Sequence, residues 1–190
     1  LSSVGVIGLQ PDTKINELSA CRPENDYEKS KCQAELIVRR FSEKNPGKTV
    51  ILRPTNVFGE DDPELHLLNL INKIRQHRFY YVGNDTSQYR LNYLYVKEIS
   101  ELIPTLLKRT TISDLYILNT PTPLNQFIEI IKTIIKDENP IKHLPYRPVK
   151  FAAACFDFVP KSIVKHPPIN TLKLGELTNK KEYSPALLIK

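Results

Sequence analysis

Short apolar runs of strand length alternate along this chain with stretches of helical periodicity, and few folds satisfy that order. The run "TVILRP" at 49–54 is rich in β-branched and apolar residues and suits a strand buried on both faces of a parallel sheet. "PELHLLNLINKIRQHR" repeats apolar residues at Leu67, Leu68, Leu70, Ile71 and Ile74, which predicts a helix, and "FYYVGND" then reads as a short strand ending in a turn. "LNYLYVKEISELIPTLLKR" reads as a strand running into a helix. "DLYILNT" is a further buried strand, and "PLNQFIEIIKTIIKDEN" an amphipathic helix with Pro123 and Asn125 as start signals. Nearer the start, residues 1–8 form a small-residue turn, and a helix is expected from Asp26 to Glu43, with "IVRRF" turning an apolar stripe inward and "NPGK" stopping it. "TNVFGEDDP" is expected to be a loop, as are the proline clusters near 140–148 and 160–168. The alternation predicts an α/β fold with a mainly parallel sheet whose ligand lies at the carboxyl ends of the strands.

Composition narrows the classes of function. A hydrophobic fraction of 41% with 25% charged residues allows a buried core. The most apolar stretch, "FAAACFDFV" at 151–159, is too short for a membrane span and is interrupted by Asp157, so a soluble protein is expected. The chain opens on "LSSVGVIG" without an initiator Met, a basic leader or a signal-type apolar segment; this reads as a truncated start with nothing pointing to export, hence a cytoplasmic protein. Cys21, Cys32 and Cys155 lack the short paired spacings of zinc sites and are expected to be free thiols in a reducing compartment. His66, His77, His143 and His166 are scattered, so no metal site is expected. The net charge of +6 favours anionic partners, but Lys and Arg are dispersed without interleaved aromatics, which argues against nucleic acid.

One helix carries a more specific signal. In "ENDYEKSKCQAE", residues 24–35, Tyr27 and Lys31 lie one helical turn apart on the same side. The spacing alone is common on solvated helix faces. It gains meaning from its order among "SSVGVIG" at 2–8, "RPTNVFG" at 53–59, "GNDTSQYRLNYLYVKEI" at 83–99 and "LYILNT" at 115–120, with about 24 residues from the serine to the tyrosine.

Together these motifs resemble the extended short-chain dehydrogenase/reductases, the family of NAD-dependent nucleotide-sugar epimerases and dehydratases. The resemblance implies a Rossmann-like doubly wound parallel sheet with a smaller carboxyl-terminal substrate-binding region. Residues 1–59 would be the catalytic half of a truncated Rossmann-like domain, and residues 60–190 a mixed substrate-binding region with Rossmann elements returning at about 91–120. It implies NAD or NADP as cofactor and a sugar or sugar-nucleotide substrate, with no nucleic acid or membrane partner, and it is compatible with a homodimer. By the same resemblance Tyr27 exchanges the substrate proton, Lys31 holds the nicotinamide ribose, Ser3 hydrogen-bonds the reacting hydroxyl, the Pro54 backbone meets the nicotinamide amide, and Asn56 and Arg90 face the substrate. Ser2 is the lesser candidate for the serine role, being suited to packing the strand end, and Pro54 and Asn56 are also natural turn residues.

The chemistry accounts for these residue types. A hydride leaves an alcohol carbon only as its hydroxyl loses a proton, so a base is needed near neutral pH. A free phenol is mostly protonated there, and a neighbouring ammonium with a positive nicotinamide ring favours its ionised form.

Departures from the family pattern refine the expectation. The glycine-rich phosphate loop and its acidic ribose partner do not occur in these residues, so this stretch alone is expected to be inactive. Ile7 stands where family members usually carry Tyr. Leu91 stands where many carry an Arg that grips a substrate phosphate, with Arg90 one residue earlier, and this favours a hydroxyl dehydrogenase for a non-nucleotide substrate as the alternative. Val4 and Gly5 stand where sugar dehydratases place Asp and Glu; neither can titrate, so an epimerase or reductase is expected before a dehydratase. A non-catalytic cofactor-sensing module is the remaining alternative, against which the complete set of Ser3, Tyr27 and Lys31 argues.

Overall fold

The computed structural model describes residues 1–8, 10, 14–47, 49–60, 62, 65–108, 115–159 and 169–184. Its strands are β1 (Lys14–Ile15), β2 (Ile51–Pro54), β3 (Asn56–Phe58), β4 (Tyr81–Val82), β5 (Arg90–Tyr95), β6 (Leu115–Leu118), β7 (Thr120–Pro123), β8 (His143–Leu144) and β9 (Glu182–Tyr183). Its helices are α1 (Asp26–Lys44), α2 (His66–Arg75), α3 (Val96–Leu107), α4 (Leu124–Ile135), α5 (Tyr146–Asp157) and α6 (Thr171–Leu177), with a 3-10 turn at Val4–Ile7. The chain divides into two compact units. The first comprises Leu1–Pro63, Asn92–Pro121 and Lys181–Lys190; the second comprises Glu64–Leu91 and Thr122–Lys180.

The first unit is built on β2 and β6, which pair in parallel from Ile51 opposite Leu115 to Pro54 opposite Leu118. Every residue of both strands is buried, which explains their nearly unbroken apolar runs. Leu52, Tyr116 and Leu118 pack with Leu94 and with Ile99 and Leu106 of α3, while Ile117 packs with Val4, Val6, Ile7 and Ile15. β3 pairs in parallel with β5, which also borders β7, and β1 pairs in parallel with β9. The α/β character with parallel pairing follows the sequence pattern. In place of one continuous sheet, the ladders form a three-stranded sheet and three two-stranded ones, because most strands run only two to four residues.

The second unit packs α2 against α4 around Ile74, Phe79, Tyr81, Tyr89, Leu124, Ile128 and Ile131. A smaller cluster of Val82, Ala153 and Leu174 joins β4 to α5 and α6.

Three local expectations change. "TNVFGEDDP" is not all loop, since Asn56–Phe58 adds a strand beside β5. The 140–148 proline cluster holds β8 and the start of α5, because Pro145 is a permitted residue just ahead of a helix and Pro148 lies in its first turn, where a missing N–H costs nothing. The 160–168 cluster and His166 lie outside the described residues. The largest change concerns α1, whose apolar stripe does not turn inward: Leu36, Ile37 and Phe41 are 51%, 68% and 52% exposed. Its inward face is Glu28, Lys31, Cys32, Glu35 and Val38, spaced at three and four residues, and Glu35 is the only described residue of the helix that is fully buried. What reverses the helix is a charge inside the unit, Arg53 of β2, which takes Glu35 as its partner.

Candidate active site

The site begins with two capped turns. Asn25 precedes α1 in an extended conformation and its side-chain oxygen accepts the Glu28 N–H at 2.9 Å, satisfying one of the free amides at the helix start. Asp26 and Glu28 place negative charge in that first turn, where the helix dipole favours it. Glu28 also reaches back, accepting the Glu24 N–H at 2.7 Å. The Val4–Ile7 turn is capped in the same manner by Ser3, whose Oγ accepts the Gly5 N–H at 3.1 Å.

Backbone contacts hold these turns together. Arg22 N–H donates to the Val6 carbonyl at 2.9 Å, and Gly8, at φ 62°, passes so close to Arg22 that an added Cβ would lie 1.9 Å from its carbonyl oxygen. Only glycine fits that crossing. A Cβ on Gly5 would meet the Glu28 Cγ at 3.3 Å, so the turn carrying Ser3 lies against the first turn of α1 beside Tyr27. Tyr27 is 59% exposed, and the Lys31 ammonium sits 5.6 Å from its ring centroid. Among the described residues Lys31 has no carboxylate within ion-pair distance. The Ser3 hydroxyl, accepting from Gly5, keeps its own proton to donate. Ser2 instead stands against β2, its N–H donating to the Leu52 carbonyl at 2.8 Å, and its side chain is buried.

Beneath this surface lies a buried ion pair that sequence reasoning missed. Arg53 Nε and Nη2 donate to Glu35 Oε1 and Oε2 at 2.8 and 2.7 Å, and Nη2 also reaches the Cys21 Sγ at 2.9 Å. Burial alone would raise the Glu35 pKa; the hydrogen bonds and charge of Arg53 outweigh it and hold the carboxyl below its ordinary range. A detectable signal existed: an Arg inside a run expected to be buried on both faces needs an acidic partner.

Pro54 follows Arg53 at the buried end of β2, and Asn56 is exposed two residues later. Between them Thr55 opens a polar chain, donating from Oγ1 to Asn119 Oδ1 at 3.0 Å; Asn119 Nδ2 in turn donates to Asn92 Oδ1 and to the Tyr183 carbonyl, each at 2.9 Å. The chain is continuous and buried, and "NT" after a strand was its only trace in the sequence. Arg90 belongs to the second unit, where its Nη1 donates to the Ser87 and Tyr89 carbonyls at 2.7 and 3.3 Å. The first unit thus brings Ser3, Tyr27 and Lys31 into one locality, with Pro54 joined to α1 through its neighbour Arg53. Among the described residues no group of three His, Cys, Asp or Glu side chains could hold a metal ion, and no helix is long and apolar enough to cross a membrane.

Comparison with known proteins bears on the family and the fold. Residues 1–116 match the model of the NAD dependent epimerase/dehydratase family. The chain is 30% identical over 178 residues to the N-acetyl-alpha-D-glucosaminyl-diphospho-ditrans,octacis-undecaprenol 4-epimerase of Escherichia coli O157:H7, covering 91% of this chain and 53% of that protein. It is 28% identical to the human dTDP-D-glucose 4,6-dehydratase, over 73% of this chain and 40% of the relative. It thus spans about half the length of the curated relatives it matches. The fold is shared with the UDP-N-acetylglucosamine 4-epimerase of Methanobrevibacter ruminantium M1, solved in complex with UDP-N-acetylmuramic acid, at a TM-score of 0.57 and 23% identity over 95% of this chain and 56% of that one.

Proposed function

We propose, for a chain that belongs to the NAD dependent epimerase/dehydratase family, that it is part of an NAD(P)-dependent epimerase or reductase of sugars or nucleotide sugars, with Ser3, Tyr27 and Lys31 as its proton-transfer site. The observation that carries the reading is the exposed phenol of Tyr27 with the Lys31 ammonium at its ring and no carboxylate paired to that ammonium among the described residues. Such polar groups, held on a rigid capped helix and left for a ligand, suit the nicotinamide half of a dinucleotide. When bound, that group supplies a reversible hydride acceptor.

The chain's own residues would do the rest. Tyr27 Oη takes the proton of the sugar hydroxyl and returns it. Lys31 Nζ would hold the nicotinamide ribose. Ser3 Oγ–H donates to the reacting oxygen, and the helical turn it caps stops that hydroxyl from rotating away. Pro54 offers its carbonyl to the nicotinamide amide, and Asn56 reaches the substrate from the adjoining exposed strand. Val4 and Gly5 offer no acid or base for water elimination, which supports epimerisation or reduction. The exposed Leu36, Ile37 and Phe41 on α1 support a homodimer, and the protein is read as cytoplasmic.

A second reading, a hydroxyl dehydrogenase for a non-nucleotide substrate, is favoured by one observation. Leu91 packs against the apolar cluster of the second unit, and Arg90 donates to two backbone carbonyls beside it, so neither is arranged as a phosphate clamp. The deciding experiment offers the full-length protein sugar nucleotides, the corresponding free sugars and simple secondary alcohols while nicotinamide absorbance and product configuration are followed. Turnover confined to sugar nucleotides supports the first reading, and turnover of free alcohols supports the second. A protein that binds neither NAD nor NADP overturns both.

A further inference from the structure

The two thiols beside the buried pair have no part in the proton-transfer chemistry, yet they are not isolated. Cys21 and Cys32 stand eleven residues apart in sequence and are brought to the same place twice over: Arg22, next to Cys21, bonds Val6 of the cluster on which Cys32 packs, and Cys21 touches the guanidinium held by Glu35, one helical turn after Cys32. Cys21 is exposed and its Sγ receives the Arg53 guanidinium at 2.9 Å; Cys32 is half-buried on the inward face of α1, against Val4, Val6, Ile7, Ile15 and Ile117. The segment carrying Cys21 is held in place, since the next residue, Arg22, donates its N–H to Val6. We propose that Cys21 and Cys32 form a reversible peroxide-sensitive dithiol, in which Cys21 is the thiol that meets the oxidant and Cys32 the thiol that resolves it into a disulfide.

The roles follow from position. A reactive thiol is solvent-accessible and sits beside positive charge, as Cys21 does; a resolving thiol needs only contact with the first. Burial, then the neighbouring Cys21, push the Cys32 thiol up, which keeps it protonated and unreactive toward oxidant until the first step is complete. In that first step the Cys21 sulfur attacks one oxygen of a hydroperoxide; the O–O bond breaks, the thiol proton leaves with the departing oxygen as water or alcohol, and Cys21 becomes a sulfenic acid. The Cys32 sulfur then attacks the Cys21 sulfur, the S–O bond breaks, and the hydroxyl leaves as water with the Cys32 proton. Two thiols lose two electrons in total and the peroxide gains them. A dithiol reductant reverses the link by exchange. Because Cys32 directly follows Lys31, the link would tether α1 at the turn carrying that ammonium.

The test treats the full-length protein with hydrogen peroxide, blocks remaining thiols with an alkylating agent, and maps peptides by mass. Cys155, exposed on α5 of the second unit, serves as the internal comparison. The expected result is a peptide pair joined through Cys21 and Cys32, lost on reduction, with Cys155 still alkylated. Cys32→Ser should abolish the link and leave a sulfenic acid at Cys21 that a dimedone probe captures; Cys21→Ser should abolish both. Retained circular dichroism and melting of each variant confirms that it is folded. A Cys21–Cys32 pair that stays fully alkylated under peroxide sufficient to oxidise Cys155, or a dimedone adduct at Cys32 in place of Cys21, overturns the proposal. Because the readout is covalent, it stands or falls without reference to NAD or sugar turnover.

Discussion

Arg53 and Glu35 meet in a two-pronged ion pair at 2.8 and 2.7 Å, with the two side chains 1% and 4% exposed, so the end of β2 is pinned to the middle of α1 by charge. The pair replaces the apolar contact that usually joins a strand to its covering helix. Glu35→Ala therefore leaves a guanidinium buried without its counter-charge, and a loss of about 3–5 kcal/mol is expected. Urea unfolding of the variant checks this through its midpoint. The double variant Glu35→Leu with Arg53→Met should recover most of the loss, and a double variant as unstable as the two singles combined would show that the pair is not one unit.

Acid should weaken the same link. The Glu35 carboxyl is held below its ordinary range in the folded chain, so the unfolded chain binds the proton more readily and stability rises with pH across that interval. The contribution is complete above the ordinary Glu value of about 4.3 and is lost as pH falls through the depressed folded value. Unfolding free energy measured from about pH 6 downward should fall more steeply for the parent protein than for Glu35→Ala, which lacks this carboxyl.

Tyr27→Phe keeps the ring on which the Lys31 ammonium rests and removes only the hydroxyl. In the full-length protein, single-turnover hydride transfer followed at the nicotinamide absorbance should slow by about 10²-fold or more, with cofactor affinity within a few-fold of the parent. An unchanged rate would remove Tyr27 from the proton path.

Lys31→Ala should act on binding as well as rate. Titration with NAD should show weaker affinity than Tyr27→Phe, because the ammonium is assigned to the ribose, and equal affinity in Lys31→Ala and the parent would count against that role.

Gly59→Ala tests the packing of β3 against α3 with no chemistry involved. The added Cβ would lie 2.7 Å from the Val96 Cγ1, and a β-branched side chain has little freedom to withdraw. A loss of about 1–3 kcal/mol is expected. Thermal unfolding should show it, with recovery when Val96→Ala is added.

The α/β character and the main helices are legible in the sequence because burial on both faces leaves unbroken runs such as "TVILRP", and a helix against a core leaves a stripe such as that of Leu124, Ile128 and Ile131. The two-residue strands β1, β4, β8 and β9 carry too few residues for any period, and of these only β4 stood out, through its aromatic "FYYV". α1 forms where expected but turns a different face inward, for a different reason. Periodicity assumes that the apolar face is the inner one, and here Glu35 answers a charge contributed by a strand 18 positions away. The candidate site rests on the order of its motifs, while the Arg53–Cys21 contact and the Thr55–Asn119–Asn92 chain arise only when distant segments meet.

β1 near the start of this chain finds its partner in β9 near residue 182, and Lys181 reaches back to the Gly8 carbonyl at 3.4 Å. A ribosome makes β1 well before β9, with the second unit between them. Until residue 183 is made, the turn that holds Ser3 waits, with Ile15 and the Asn119 amide each lacking a neighbour, while the second unit is completed in between. Closing so long a loop is slow. The turn that holds Ser3 is thus locked in place only after the second unit has been made.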